Sequence, residues 1–475
     1  MPRRRRKQAA ETAGEFVKKG SVPIRWIGNE DVAEAVKHVV KAKGSVLLLG
    51  DIGTGKTAMV KHILLHELGL GKDEILYMTM TRGIKPTDLR GVDLAALMRG
   101  EEKAVTIFGD KEAAGRYKAF IMDEIGRGHP HTTDDAVSKL LEERKIIFPT
   151  RSGVATFELP DLAIILIGNP VGTEGVEGIY AHTQNRVDYM GVARPVRDWF
   201  GQLQIAQVVM SRDLAPDVAV ETRVCYLLVD LLHNWPEEAR KLGVMTATPR
   251  FFEKAVKRLF NVMGGEITLG RRLFKDRGTR KFHENLLAGF LLSSSIVNPT
   301  ASAVTSPAQL YGTALSFVRK TVQFHLESDL GSWQERFLAA KSPGELGELV
   351  KVARRLPVSM RKALTPSLVA AQWRLVQEMG LAEALEPLHL DVESPDYAWL
   401  FEQCVEWAET RELTEGAVEA MRKWLNSMAS FLPADLRQSG SRKVESLEEM
   451  AAARASRRSR MRAGGAEGVV PEVLT

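Results

Sequence analysis

Gly50-Asp51-Ile52-Gly53-Thr54-Gly55-Lys56-Thr57 decides the reading of this chain. It fits the pattern G-x-x-x-x-G-K-[ST], in which glycines let successive backbone N–H groups turn inward around a phosphate. The context suits that role, because the apolar run Val46-Leu47-Leu48-Leu49 precedes it and an amphipathic stretch, Lys56–Glu67, follows. A strand therefore feeds a loop that opens a helix, and the helix start adds its positive dipole end. Gly50, Asp51, Ile52, Gly53, Thr54 and Gly55 are assigned to the phosphate cradle. Lys56 would neutralise the β and γ oxygens of ATP, and the Thr57 hydroxyl would take one position on Mg2+.

Working outward, the next informative string is Ala119-Phe120-Ile121-Met122-Asp123-Glu124. An apolar strand ending in two acids places both carboxylates at the carboxyl edge of a parallel sheet, beside the phosphate loop. Asp123 is expected to hold Mg2+ through water, and Glu124 to orient and deprotonate the attacking water. By itself such a pair also suits a helix N-terminus, where acids are favoured. The run Ile164-Ile165-Leu166-Ile167 then ends in Gly168-Asn169-Pro170. Its amide either meets the γ-phosphate or belongs to an ordinary Asn-Pro turn, and both readings stay open on the residues alone.

Strand candidates at Ser45–Leu49, Glu74–Met78, Ala119–Met122 and Ala163–Ile167 alternate with amphipathic stretches, as in a parallel α/β sheet. Residues 146–159 read as an inserted β-hairpin. Beyond about Ala193 helices dominate, and several starts place Ser or Thr before Pro: Thr248-Pro249, Ser306-Pro307, Ser342-Pro343, Thr365-Pro366 and Ser394-Pro395. A hydroxyl can cap the free N–H groups while Pro occupies the first helical position. The expected fold is thus an α/β phosphate-loop core, a helical lid and a mainly α-helical C-terminal region. The segments are a flexible basic leader at 1–20, the nucleotide-binding domain at 21–212, the lid at 213–300, a helical domain at 301–436 and a disordered basic tail at 437–475.

The chain has 475 residues, with 44% apolar and 26% charged, an ordinary balance for a globular protein of several domains. No signal-like or membrane-spanning run is evident, and two cysteines cannot build a disulfide framework, so a reducing cytoplasm is expected. The net charge of +5 resides in the ends, through Arg3–Lys7 and the Arg-rich segment after Arg437, and leaves the body slightly acidic. Basic tails can hold nucleic acid, but are more often simply solvated. His129-Pro130-His131 lacks a third metal ligand, and Trp333, Trp373, Trp399, Trp407 and Trp424 sit in helical, apolar surroundings that suggest core packing.

The order of these motifs resembles the MoxR-like branch of the AAA+ ATPases over about residues 22–290. Trp26-Ile27-Gly28-Asn29-Glu30 resembles the family's opening motif, and Thr87-Asp88-Leu89-Arg90-Gly91 its Ser/Thr-Asp-Leu-x-Gly segment. Asp123-Glu124-Ile125-Gly126-Arg127 is similar to Asp-Glu-Ile-Asn-Arg, with Gly126 in place of Asn. Leu140-Leu141-Glu142-Glu143-Arg144 is similar to the Met-Glu-Glu-Arg helix. The resemblance makes Asn169 a sensor-1 residue and Arg250, in Thr248-Pro249-Arg250, a sensor-2 residue. Arg186 aligns with an arginine finger that reaches a neighbouring subunit's ATP, although Asn185 stands where the family has Asp. It further implies ATP hydrolysis in a homo-oligomeric ring, a hexamer, acting on a protein client, often with a von Willebrand factor A domain partner. The competing functions are a nucleic-acid-dependent AAA+ ATPase, for which no recognition surface is evident, and a nucleotide-gated scaffold with little turnover.

Overall fold

A computed structural model describes residues 16–84, 115–128, 137–150, 153–159, 161–169, 181–263, 266–267, 277–297, 306–411 and 413–464. The segments Thr87–Gly91 and His129–His131 lie outside the described residues. In chain order the strands are β1 (Phe16–Lys18), β2 (Ser45–Gly50), β3 (Ile75–Thr79), β4 (Ala119–Asp123), β5 (Lys145–Thr150), β6 (Gly153–Glu158), β7 (Ala163–Ile167), β8 (Tyr189–Ala193), β9 (Ala219–Glu221), β10 (Val244–Ala247), β11 (Glu266–Ile267) and β12 (Ser295–Val297).

The central sheet is parallel, with strand order β3-β4-β7-β2-β8. Its inner strands are buried on both faces, as parallel sheets require. Alternation sorts their side chains. Val46, Leu48, Ile121 and Ile165 pack with Val32, Val36 and Val40 of helix Glu30–Lys41 and with Met59 and Val60 of helix Lys56–His62. Leu47, Phe120, Met122, Ile164 and Leu166 face the other way, against Val137, Leu140 and Leu141 around helix Ser138–Glu143. The expected hairpin is β5–β6, antiparallel from Lys145↔Glu158 to Thr150↔Gly153.

This arrangement brings together what the sequence separates. Strands β4, β7 and β2 are immediate neighbours, so the ends that deliver Asp123, Asn169 and Gly50 lie side by side at one edge. At neighbour spacings of about 4.8 Å they span roughly 10 Å, the scale of a triphosphate site.

After β8 come the helical layers. One apolar core joins helices Trp199–Asp213, Thr222–Ala239, Arg277–Leu292 and Pro307–Glu327. A second core is built from helices Pro343–Ala353, Val358–Met379, Pro395–Thr410, Glu415–Met428 and Ala434–Gly464. The lid core therefore crosses both expected boundaries. Its helices start at Trp199, and it includes Ala314, Phe317, Val318 and Val322 from beyond residue 301.

Both ends depart from expectation. Val17 is buried in the lid core and β1 pairs antiparallel with β9, so residues 16–18 are not part of a flexible leader. The tail expected to be disordered from 437 is helical through Gly464, because Leu436, Val444, Leu447 and Ala451 form a stripe buried in the second core. Thr365-Pro366 is not a helix start but lies inside Val358–Met379, where the Thr365 hydroxyl donates to Arg361 O at 2.9 Å. Ser306, Ser342 and Ser394 do cap their helices. Trp373 and Trp424 are buried in the second core, with Trp333, Trp399 and Trp407 packed against it.

A buried carboxylate in the first layer is tied to helix Leu330–Ala339, whose Leu330 and Phe337 belong to the second core. Asp230 accepts from Trp199 Nε1 at 2.6 Å, His325 Nε2 at 2.7 Å and Gln334 Nε2 at 3.0 Å. One helical turn on, His233 Nε2 meets Asp396 Oδ1 at 3.3 Å, while its Nδ1 lies 3.1 Å from Arg197 O in the segment leaving β8.

Candidate functional site

The loop after β2 has the backbone that its glycines imply. Gly53 and Gly55 take φ of 81° and 85°, in the left-handed region that side chains resist. A Cβ on Gly53 would meet Thr248 Cγ2 at 2.5 Å, and one on Gly55 would meet the Trp26 ring at 2.7 Å. The loop is thus closed in from two sides, by the opening motif and by the segment that introduces Arg250. Asn29 anchors the former, since its amide donates to Arg194 O at 2.9 Å and its Oδ1 accepts from Arg194 N at 2.7 Å.

Lys56 is buried and its three ammonium protons each find an acceptor: Gly50 O at 2.6 Å, Asp51 O at 2.8 Å and Asn169 Oδ1 at 3.0 Å. Burial pushes its pKa down to about 8, against the opposing pull of Asp123. Asn169 thereby joins the phosphate loop directly, through the Lys56 ammonium. Arg250 begins helix Arg250–Ala255 and is exposed. It is close enough for its positive charge to act on Lys56. Thr248 does not cap this helix with its side chain; its buried hydroxyl has no hydrogen-bond partner among the described residues.

Thr57 Oγ1 donates to Asp123 Oδ2 at 2.9 Å, so the first turn of the loop helix is tied to the end of β4. Glu124 adopts φ 57°, a left-handed conformation that non-glycine residues rarely take. Such strain persists where the surroundings impose it. Here the Glu124 N–H donates to Asp123 Oδ1 at 2.9 Å and its carboxylate meets Arg127 Nη1 at 3.1 Å. The Thr57 hydroxyl and the Asp123 carboxylate, hydrogen-bonded to each other, are hard-oxygen donors of the kind Mg2+ takes.

Two further residues belong to this cluster and were not picked out from the sequence. Tyr77 OH donates to Asp123 Oδ2 at 2.5 Å, and Lys61 Nζ lies 4.3 Å from the centre of the Tyr77 ring. Burial and the hydrogen bond to Asp123 push the Tyr77 pKa up to about 12, which keeps the hydroxyl a donor. The available signal was the alternation Tyr77-x-Thr79, which puts two hydroxyls on one face of β3.

Arg186 is not brought to this site. It precedes β8, where Arg186 O accepts from Ser45 Oγ at 3.5 Å and Asp188 Oδ2 accepts from Ser45 N at 2.6 Å. Ser45 opens β2 whereas the phosphate loop closes it, five residue steps or about 16 Å away. Arg186 instead meets Glu142 at 3.2 Å, and Arg144 meets Asp188 at 3.5 Å.

Residues 45–187 match the family described as AAA domain (dynein-related subfamily). This part of the chain is an AAA+ domain. Its parallel five-stranded sheet and the mostly helical region after it agree with that fold. Among solved structures the chain is similar to NtrX from Brucella abortus in complex with ATP, at 13% identity, 76% coverage of this chain, 71% of that chain and a TM-score of 0.34. It is also similar to a candidate ATPase from Cytophaga hutchinsonii, at 17% identity, with 61% and 89% covered and a TM-score of 0.28. Likeness at this level identifies no activity. No curated protein matches the sequence significantly. Among the described residues, no helix is long and apolar enough to cross a membrane.

Proposed function

We propose that this chain is a MoxR-like AAA+ ATPase that hydrolyses ATP within a homo-oligomeric ring, a hexamer, to remodel, mature or activate a protein client. The observation that carries the hydrolytic part is the convergence of Lys56, Thr57, Asp123, Glu124 and Asn169 at the ends of three adjacent strands. In this reading the backbone N–H groups of Gly53 to Lys56 enclose the β-phosphate, and Lys56 exchanges its bonds to Gly50 O and Asp51 O for phosphate oxygens. Asn169 orients the γ-phosphate side of the site. Glu124 accepts the proton of the attacking water at its carboxylate, held in place by Arg127. Thr57 and Asp123 would hold Mg2+, which when bound offsets the charge on the transferring phosphoryl group. Arg250 supplies positive charge from the lid.

The position of Arg186, a strand length from its own phosphate loop, supports its use on a neighbour's nucleotide. If a purified Arg186→Ala protein assembles normally and keeps full ATPase activity, this ring reading is wrong. The MoxR-like assignment rests on the collinear motifs, and so does the expectation of a von Willebrand factor A domain partner. Glu124→Gln in the presence of ATP is the trap that tests for a client. A remodeller should lose turnover and retain its client in a pull-down, whereas a passive scaffold would bind the same proteins with or without the change.

A further inference from the structure

We propose that Tyr77 is a positioning residue for the Asp123 carboxylate, setting which oxygen of Asp123 is left for a metal-bound water. This inference rests on the reading of the site as one for Mg2+ and ATP.

The argument is an account of lone pairs. A carboxylate offers about four acceptor positions over two oxygens. On Asp123, Oδ2 takes donors from both Thr57 Oγ1 at 2.9 Å and Tyr77 OH at 2.5 Å, which fills that oxygen. The other oxygen, Oδ1, accepts only the Glu124 N–H at 2.9 Å among the described residues. One position on Oδ1 therefore remains, beside Glu124. With Oδ2 filled by two hydroxyls, Asp123 is arranged to receive a metal-bound water on Oδ1 rather than to bind the metal directly through Oδ2.

Tyr77 is itself held for the task. It pairs across the sheet with Ile121, and Thr79 pairs with Asp123, so Tyr77 lies diagonally opposite Asp123 on one face. Its hydroxyl accepts from the Thr79 side chain, which leaves its proton for Asp123. Lys61, one turn after Thr57 on the loop helix, covers the ring. Four residues from three elements thus close a ring around Oδ2: Thr57 and Lys61 from the loop helix, Tyr77 from β3 and Asp123 from β4. A tyrosine whose only purpose was packing would need neither hydroxyl partner.

Partners that orient metal ligands typically change metal affinity by about 10–100-fold when removed. The test is fluorescent-ATP-analogue binding by the full chain, titrated with Mg2+ and repeated in EDTA, for the wild type and Tyr77→Phe. The expected result is unchanged affinity in EDTA but about a tenfold higher Mg2+ concentration for the tight-binding state. Thr79→Val, which frees the tyrosine proton from its fixed direction, should shift the same curve in the same sense by less. Overlapping Mg2+ curves for wild type and Tyr77→Phe would overturn the proposal while leaving the ATPase reading intact. A wild type that binds the analogue without any response to Mg2+ would overturn the underlying reading as well.

Discussion

Asp230 offers the sharpest test of how the helical layers are joined, through the pair Asp230→Asn and Asp230→Ala. In the native protein one oxygen takes the Trp199 indole N–H, and the other takes His325 and Gln334. Asparagine keeps the shape but must turn its NH2 toward one set of donors. The cheaper orientation leaves the amide oxygen on His325 and Gln334 and opposes NH2 to the indole, at a cost of roughly 1–3 kcal/mol for one unsatisfied buried group. Alanine strands all three donors and opens a cavity, which should cost roughly 3–5 kcal/mol, the range for breaking a buried charged network. Thermal unfolding of the full chain followed by near-ultraviolet circular dichroism reports on the packing of its eight tryptophans, Trp199 among them. For helical layers of this size each kcal/mol is about 2–4 °C, so the alanine variant should melt clearly below the asparagine variant. Equal melting of the two, or of both with the wild type, would refute the view of Asp230 as a three-way acceptor.

Other outcomes follow from the same geometry. Gly55→Ala places a Cβ against Trp26 at 2.7 Å on a backbone with φ 85°, and should weaken binding of a fluorescent ATP analogue at least tenfold, about 1.4 kcal/mol. Lys56 titrates near 8 when free and binds phosphate as the ammonium, so nucleotide affinity should be level below pH 8 and fall as pH rises through it, by up to about tenfold per unit. A profile flat to pH 9.5 would refute the lowering of the Lys56 pKa by burial. Leu447→Asp puts a charge into the stripe that docks helix Ala434–Gly464, and hydrogen exchange should show that helix losing protection while the central sheet keeps its own.

The nucleotide site was readable because its parts are local strings. A glycine loop, an apolar strand ending in acids and another ending in Asn each carry their meaning within eight residues. Their convergence followed from the rule that parallel strands deliver their carboxyl ends to one edge. Tyr77 was not readable, because its role depends on the β3–β4 register, which sets it diagonally opposite Asp123, 46 positions along the chain. The edge strand β8 was also missed. Met190 and Val192 are exposed and Gly191 interrupts the run, so it lacks the continuous apolar signal of the buried strands. The final helix was hidden by composition: among its Arg, Ser and Ala residues the four that dock are spaced too sparsely to outweigh the charged majority. Thr365-Pro366 misled for the opposite reason, since a local cap signal was overridden by the packing of Leu364, Leu368 and Leu375 on either side.

Strand β2 joins two places with different owners in the proposed ring. One end becomes the loop that would grip a subunit's own nucleotide, and the other, through Ser45, holds the Asp188 backbone segment that carries Arg186. A hydrogen-bonded central strand neither stretches nor bends appreciably, so a displacement of the loop along its axis must reappear at Arg186. Each subunit would then act as a rigid lever between two nucleotides, reporting the occupancy of one by moving the arginine it lends to the other.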